Sequence, residues 1–327
     1  MLDARPWRAA TEDALYGPAG FYLANRPAAH FRTSVHTGSG RFAEAIAALL
    51  DRVDTALQHP ARLDFVDVGA GGGELLAAVS ELLETSLAGR VRLTGVELRP
   101  RPSGLSPAIG WGPRIPALTG LLLANEWLDN VPVDVVERDD AGNDRVVLVT
   151  PTTGAETLGP VVTGADASWL ARWWPLSQPG DRAEIGAPRD AAWAGAAGRV
   201  RRGLAVAIDY GHLAATRPAG GTLTGYRSGR QVPPVPDGSC DVTAHVAVDA
   251  VAALGGELHQ QRDVLRALGV TGARPARAEA SSDPLGYLRA LAAASAGAEL
   301  TDPAGLGAFW WLFHPVGIAL REDGVAF

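Results

Sequence analysis

The stretch Asp64-Phe65-Val66-Asp67-Val68-Gly69-Ala70-Gly71-Gly72-Gly73-Glu74 constrains this chain more than any other. A short apolar run with β-branched residues stops at a glycine-rich turn. Leu75, Leu76, Val79, Leu82 and Leu83 then recur at helical spacing. The reading is strand, tight loop, helix. Glycines let the loop take positive φ and let a ligand approach the backbone. Unpaired N–H groups at the helix start suit carboxylates and other electron-rich groups.

Spacing narrows the ligand. A dinucleotide fingerprint places glycines at the first, third and sixth positions. Here the sixth is Glu74, which disfavours a nicotinamide dinucleotide. The glycines fall at Gly69, Gly71 and Gly73, with Asp67 two residues ahead. That G-x-G-x-G form resembles the S-adenosylmethionine (SAM) loop of class I methyltransferases. A glycine-rich turn that binds nothing is the bland alternative. Val91 to Leu98 reads as the second strand and carries Gly95-Val96-Glu97. A carboxylate at its tip can accept both ribose hydroxyls. A solvated strand end is the other reading of Glu97, though its distance from the loop fits one βαβ unit.

Residues 1 to 40 do not read as a regular element. Tyr16-Gly17-Pro18-Ala19-Gly20-Phe21-Tyr22 is turn chemistry interleaved with aromatics, expected either as an arm over a pocket mouth or as a plain surface arm. Thr37-Gly38-Ser39-Gly40 signals entry into a helix of residues 41 to 57, with an apolar stripe of Phe42, Ile46, Leu49, Leu50 and Val53. Residues 99 to 116 are rich in Pro and Gly and read as a loop where a third strand would otherwise stand. Gly120 to Ala124 is the next strand, ending in Asn125-Glu126-Trp127-Leu128-Asp129-Asn130-Val131-Pro132. Polar groups at the carboxyl end of such a strand sit in the ligand crevice of an open α/β sheet. Val133 to Glu137 and Arg145 to Val149 flank a hairpin turn.

Residues 151 to 200 are less periodic; Trp169, Trp173 and Trp174 there are expected in the core, and Ala191 to Val200 in a helix. Gly203 to Asp209 is a strand ending in Asp209-Tyr210-Gly211-His212, again polar groups at a strand tip. Residues 213 to 240 read as a long loop over the site. Asp241-Val242-Thr243-Ala244-His245-Val246 opens another element, followed by an apolar helix through Leu254. Asp263 to Leu268 and Leu285 to Ala294 read as helical, and Phe309 to Phe313 as a strand.

Charge and composition exclude several classes. The net charge of −7 argues against a broad nucleic-acid footprint, and the Arg199, Arg201, Arg202 cluster reads as a solvated helix end. Every basic residue is arginine, a pattern of coding bias to which no function attaches. One cysteine, Cys240, forms no intrachain disulfide and no metal cluster. No signal-like segment or membrane-length apolar run is apparent, so a cytoplasmic chain without a membrane partner is expected.

Several segments together are similar to the MidA family of SAM-dependent methyltransferases. The carrying residues are Tyr16-Gly17-Pro18-Ala19-Gly20-Phe21-Tyr22, Asp67 to Gly73, Val96-Glu97 and Ala124 to Pro132. Ile208-Asp209-Tyr210-Gly211-His212, Gly221-Thr222-Leu223-Thr224-Gly225-Tyr226-Arg227 and Asp241 to Val246 follow in the family's order. The resemblance implies an α/β, class I methyltransferase fold, a Rossmann-like seven-stranded sheet with a helical or loop insertion. It implies SAM as cofactor, held by Asp67, Gly69, Gly71, Gly73, Glu97 and Asn125. It also implies methylation of an arginine side chain in a partner protein. The expected organisation is an arm of residues 1–40 over the site and a methyltransferase domain at 41–327, with an insertion at about 151–200 and the long loop at about 213–240. Two stretches depart from the family: His30-Phe31-Arg32-Thr33-Ser34-Val35-His36-Thr37, which lacks the family's Pro-Glu, and Ser228-Gly229-Arg230 after the Tyr-Arg of the loop. A small-molecule methyltransferase and a non-catalytic SAM-binding assembly factor therefore stay open as alternatives, as does a homodimer.

Methyl transfer from a sulfonium is an in-line displacement, so the protein must bind the charged donor, exclude water and aim a lone pair. Guanidinium is a poor nucleophile because its charge is delocalised. A carboxylate forked against it can orient one nitrogen. Glu126, at the fourth strand's tip, is the first catalytic candidate. Asp129, three residues on, is expected to share a helical face with it, and helix capping is the alternative for Asn125 and Asp129. Asp209 and His212 form a second constellation, able to accept from the substrate and relay a proton. Asp209, His212, Asp241 and His245 resemble no recognised ligand spacing, so no metal is expected; His245 reads as a structural histidine.

Overall fold

The computed structural model describes residues 4–24 and 40–319. Both Thr37-Gly38-Ser39 and the departing segment His30–Thr37 lie outside them. The described chain divides into two compact units. One holds 40–126, Ala196–Ile208 and 255–319; the other holds 4–24, Trp127–Gly195 and Asp209–Leu254.

The first unit is built on a seven-stranded sheet: β1 Leu63–Val68, β2 Val91–Val96, β3 Gly110–Gly112, β4 Leu118–Asn125, β5 Val200–Asp209, β6 Glu257–Gln260 and β7 Trp310–Val316. Their spatial order is β3-β2-β1-β4-β5-β7-β6. The four pairings from β3 to β5 are parallel, and β6 runs antiparallel to β7. All six residues of β1 are buried, as a central parallel strand covered on both faces requires. Helix α1, Arg41–Ala56, lays Phe42, Ile46, Leu49, Leu50 and Val53 into the core, and Phe42 meets Trp311 edge-on with ring centroids 6.2 Å apart. Val68 is in register with Val96 on one side and Ala124 on the other. The residues that follow these three, Gly69, Glu97 and Asn125, therefore emerge at one sheet edge, where the strand order reverses between β1 and β4. In open parallel sheets, ligands bind at that reversal.

One element contradicts the loop expected at 99 to 116. The short strand β3, Gly-Trp-Gly, pairs there with β2. Three residues are too few for alternation to announce a strand.

The second unit contains an antiparallel sheet of Arg5–Pro6, Val135–Arg138, Asp144–Val149, Glu156–Val161 and Arg182–Glu184. The expected hairpin is its centre, with Val136 opposite Val146. The helix Gly164–Trp173 buries Trp169, and Trp174 follows it into the same core. Two readings change. Trp7–Tyr16 is a helix, not irregular arm, burying Trp7, Ala10, Thr11, Ala14 and Leu15; small Ala and Thr side chains at those spacings hide its apolar face. The turn-rich 213 to 240 stretch holds a hairpin, Thr224–Arg227 against Arg230–Val232, and Thr224–Arg227 also pairs Asp241–Thr243. No described helix is long and apolar enough to cross a membrane.

Candidate functional site

At the sheet edge of the first unit, the glycine loop turns through three left-handed residues, Gly69 (φ 74°), Gly71 (φ 58°) and Gly73 (φ 81°), the last capping helix α2, Glu74–Leu82. An L side chain would be strained at all three. Gly69 and Ala70 donate to the Val96 carbonyl at 2.9 and 3.2 Å, which ties the loop to β2. Glu97 completes the tie: its Oε2 accepts from Gly71 N at 3.1 Å, and its Oε1 from Leu98 N and Arg99 N at 2.9 and 3.2 Å. Glu97 thus stands beside the middle glycine. Glu74 accepts from Gly72 N at 2.9 Å, so one N–H at the helix start is already capped by its own turn.

Asp67 is 4 % exposed, and among the described residues its carboxylate makes no hydrogen bond or ion pair. Burial, then the Glu74 and Glu97 charges, push its pKa up to about 8. On the adjoining strand, Asn125 Nδ2 donates to Glu126 Oε1 at 3.2 Å, while Asn125 Oδ1 is buried with no donor. One edge of the sheet therefore presents a buried amide oxygen without a donor and, on the neighbouring strand, a buried carboxyl without a hydrogen-bond partner, an arrangement that is costly unless a ligand completes it. Glu126 itself sits at φ 51°, left-handed backbone that a non-glycine residue seldom adopts, with its N–H held by the Ile208 carbonyl at 2.8 Å.

Asp129 does not share a helix with Glu126, and it caps none. Residues 126 to 134 are turns and bends, because Asp209 folds them over itself: Asp209 Oδ2 accepts from Leu128 N and Asp129 N at 3.0 and 3.1 Å, and Oδ1 from Tyr210 N at 3.0 Å. Asp129 is directed into a buried polar cluster of the second unit. Its Oδ2 accepts from the Tyr210 hydroxyl and from Thr243 Oγ1 at 2.9 Å, and its Oδ1 from Asn130 Nδ2 at 2.9 Å. Burial raises its pKa, while Tyr210 and Arg189 act in the other direction. Tyr22 reaches Asn130 Oδ1 at 2.6 Å and Asp241 Oδ1 at 2.9 Å, and burial followed by the Asp129 charge pushes Asp241 up to about 7.

Beneath the cluster, Arg189 is 2 % exposed and donates to the carbonyls of Asp129, Val131 and His245 at 2.6, 3.2 and 2.8 Å. The cation is compensated at longer range by Asp129, Asp209 and Glu184. His212 is buried against Trp174, with ring centroids 4.5 Å apart. Its Nδ1 lies 2.6 Å from Arg217 Nη1, so that nitrogen accepts and the proton is assigned to Nε2. Burial, the Arg217 charge and His245 bring its pKa down to about 4. The ring is neutral at pH 7, with its lone pair occupied. His245 is exposed and packs edge-on to Tyr210 at 5.1 Å.

The sheet edge thus brings together Asp67, Gly69, Gly71, Gly73, Glu97, Asn125 and Glu126, all in the first unit. Asp129, Asp209 and His212 belong to the second, where Asp209 and His212 have their acceptor atoms engaged within the protein. Among the described residues no group of three or more His, Cys, Asp and Glu is arranged to hold a metal ion. In the sequence, Tyr22 and Tyr210 stand in the matched segments with no role assigned to them, and nothing marks Arg189 or Trp111. A buried arginine bonded only to carbonyls leaves no trace in periodicity.

Residues 43–265 match the model of the family Methyltransf_28, described as "Putative S-adenosyl-L-methionine-dependent methyltransferase". Among solved structures, a COG1565 superfamily member from Burkholderia thailandensis bound to S-adenosyl-homocysteine superposes with TM-score 0.80 at 24% identity, covering 98% of this chain and 90% of that one. A native crystal structure of a COG1565 superfamily protein from the same organism gives TM-score 0.75 at 24% identity, with the same coverage. Comparison with curated proteins returns no match. The likeness to these structures is one of fold; the family model, which spans well over half of the chain, settles membership. The chain belongs to the Methyltransf_28 family of methyltransferases, and its cofactor is S-adenosyl-L-methionine.

Proposed function

We propose that the chain is a class I methyltransferase that binds SAM along the edge formed by Asp67, Gly69, Gly71, Gly73, Glu97 and Asn125, and methylates an arginine side chain of a partner protein. The observation that carries the donor site is a buried amide oxygen without a donor, Asn125 Oδ1, and a buried Asp67 carboxyl without a hydrogen-bond partner, beside a left-handed glycine loop. SAM bears an α-ammonium and a sulfonium, and these supply the donor and the positive charge that the two groups lack. Glu97, already aimed along the loop, exchanges its backbone donors for the ribose hydroxyls.

Bound SAM supplies an electrophilic methyl whose sulfur leaves as a neutral thioether. The residues of the chain do the rest. Glu126 forks against the acceptor guanidinium and favours localisation of charge on one nitrogen. That nitrogen gains the methyl and gives up one proton, which Glu126 accepts and passes to water, so the methylated guanidinium keeps a single positive charge. Strained backbone at Glu126 supports this role, since such residues persist where the surroundings hold them for a purpose. Asp129, whose two carboxylate oxygens are already engaged by Tyr210, Thr243 and Asn130, is read as a positioning residue within the second unit. Asp209 is read as a positioning residue for the 126–134 turn, and His212 as a fixed neutral ring, because their acceptor atoms are already engaged.

The arginine assignment rests on the family resemblance and on a carboxylate at the β4 tip. Transfer of radiolabelled methyl from SAM into a lysate, followed by hydrolysis to amino acids, tests it. Label in methylarginine is expected. Label confined to small molecules would favour the small-molecule reading, and SAM binding without any transfer the assembly-factor reading.

A further inference from the structure

We propose that Trp111 is a positioning residue for the donor site, holding the glycine loop and the Glu97 turn at the separation that admits the nucleoside. The proposal rests on reading that edge as the donor site. Trp111 is the middle residue of β3, opposite Gly95 of β2, which in turn is opposite Asp67 of β1. A Cβ at Gly95 would meet the indole Cε3 and Cζ3 at 2.5 Å each and the Ala70 Cβ at 3.2 Å, so the ring fills the space that a side chain on β2 would need. The ring reaches further. A Cβ at Gly73, the left-handed cap of α2, would meet Leu105 Cδ1 at 2.8 Å and Trp111 Cζ3 at 3.3 Å. The indole therefore packs, together with Leu105, beside the last glycine of the loop.

Its polar end fixes the other side. Trp111 Nε1 donates to the Arg99 carbonyl at 3.0 Å, two residues beyond Glu97, and Glu97 N donates to the carbonyl of Gly112 at 3.0 Å. The chain between Arg99 and β3 is fastened as well, since Arg101 donates to the carbonyls of Ile109 at 2.5 Å, Leu105 at 3.1 Å and Ser106. One side chain thus joins the loop that would take the donor's amino-acid end to the turn that aims the carboxylate at its sugar. Gly73 and Gly95 leave the room it occupies. Displacements of about 1 Å in such a site cost on the order of a hundredfold, which is why a residue outside contact with the ligand can govern affinity.

Calorimetry with S-adenosyl-homocysteine on folded wild type, Trp111→Phe, Trp111→Leu, Gly95→Ala and the Gly95→Ala/Trp111→Leu pair tests this. Trp111→Phe keeps a ring and loses the N–H, and should weaken binding about fivefold. Trp111→Leu should weaken it on the order of tenfold to a hundredfold. Gly95→Ala should weaken it alone and cost clearly less in the Leu background, where the ring it strikes is gone and only the Ala70 Cβ at 3.2 Å remains. Wild-type affinity in both Trp111 variants, with at most a lower Tm, would overturn the proposal, as would losses that simply add in the double variant. If Trp111→Leu does not fold, Trp111→Phe decides. Failure of the wild type itself to bind would instead sink the donor-site reading, a distinguishable result.

Discussion

The pKa of about 8 at Asp67 makes affinity for the cofactor depend on pH in a calculable way. In the free protein this carboxyl holds its proton through neutral pH, because burial and the Glu74 and Glu97 charges disfavour ionisation. An α-ammonium brought beside it restores an ordinary carboxylate pKa, about 4. Binding then releases one proton, and log affinity should climb with pH at a slope near one. At pH 6 about 99 in 100 Asp67 groups must give up a proton before binding, and at pH 7 about 10 in 11. The affinity gain across that unit is about ninefold. Titration of S-adenosyl-homocysteine by calorimetry from pH 5.5 to 7.5 reads the slope and, in buffers of different ionisation enthalpy, the proton released. The ligand's own α-amine stays protonated across this window, so its charge does not contribute to the slope. Asp67→Asn should flatten the profile, and methylthioadenosine, which lacks the amino-acid end, should show no slope on the wild type. A flat wild-type profile, or a slope that persists in Asp67→Asn, would refute the reasoning. The same group has a consequence for stability. The fold keeps a proton that the unfolded chain loses above about pH 4, so stability falls as pH rises from about 4 to 8. Asp67→Asn should therefore stabilise the ligand-free protein at pH 7, by up to about 4 kcal/mol.

Glu126→Gln should leave cofactor affinity within about twofold and abolish methyl transfer, whereas Glu126→Gly should raise stability by about 1 kcal/mol by relieving the left-handed backbone; full turnover in the Gln variant would remove Glu126 from catalysis. Arg189→Met leaves the carbonyls of Asp129, Val131 and His245 without their donor, the first of them buried, and should cost about 1–3 kcal/mol in denaturant titration; a loss under 1 kcal/mol would contradict its central place in the second unit. His212 is neutral in the fold down to about pH 4 and charges near 6.5 when unfolded, so its share of stability is lost as pH falls from about 6.5 to 4. Tm measured across that range should fall less steeply for His212→Gln than for the wild type, and parallel profiles would refute the assignment.

The legible part of this chain was local. Strand, glycine loop and helix stand within residues 63–82, and Glu97 follows at the spacing of one crossover, so periodicity and glycine placement sufficed. The tip of β4 could be named for the same reason. Asp129 was misplaced because its conformation is set by Asp209, eighty residues away, whose carboxylate turns the segment and prevents the helix expected there. Arg189 draws its three acceptors from positions 129, 131 and 245, a convergence that exists only after folding. Trp111 lies on a strand too short to alternate, and its meaning depends on two glycines, 73 and 95, that contact it from different elements. The helix Trp7–Tyr16 escaped notice because small residues carry its buried face.

A crystal structure with S-adenosyl-homocysteine bound tests the account most directly. The ribose hydroxyls should lie on Glu97 and the amino group within hydrogen-bond distance of Asp67 or Asn125 Oδ1, above Gly69 to Gly73. A nucleoside bound anywhere else, with those two groups still unpartnered, would contradict it.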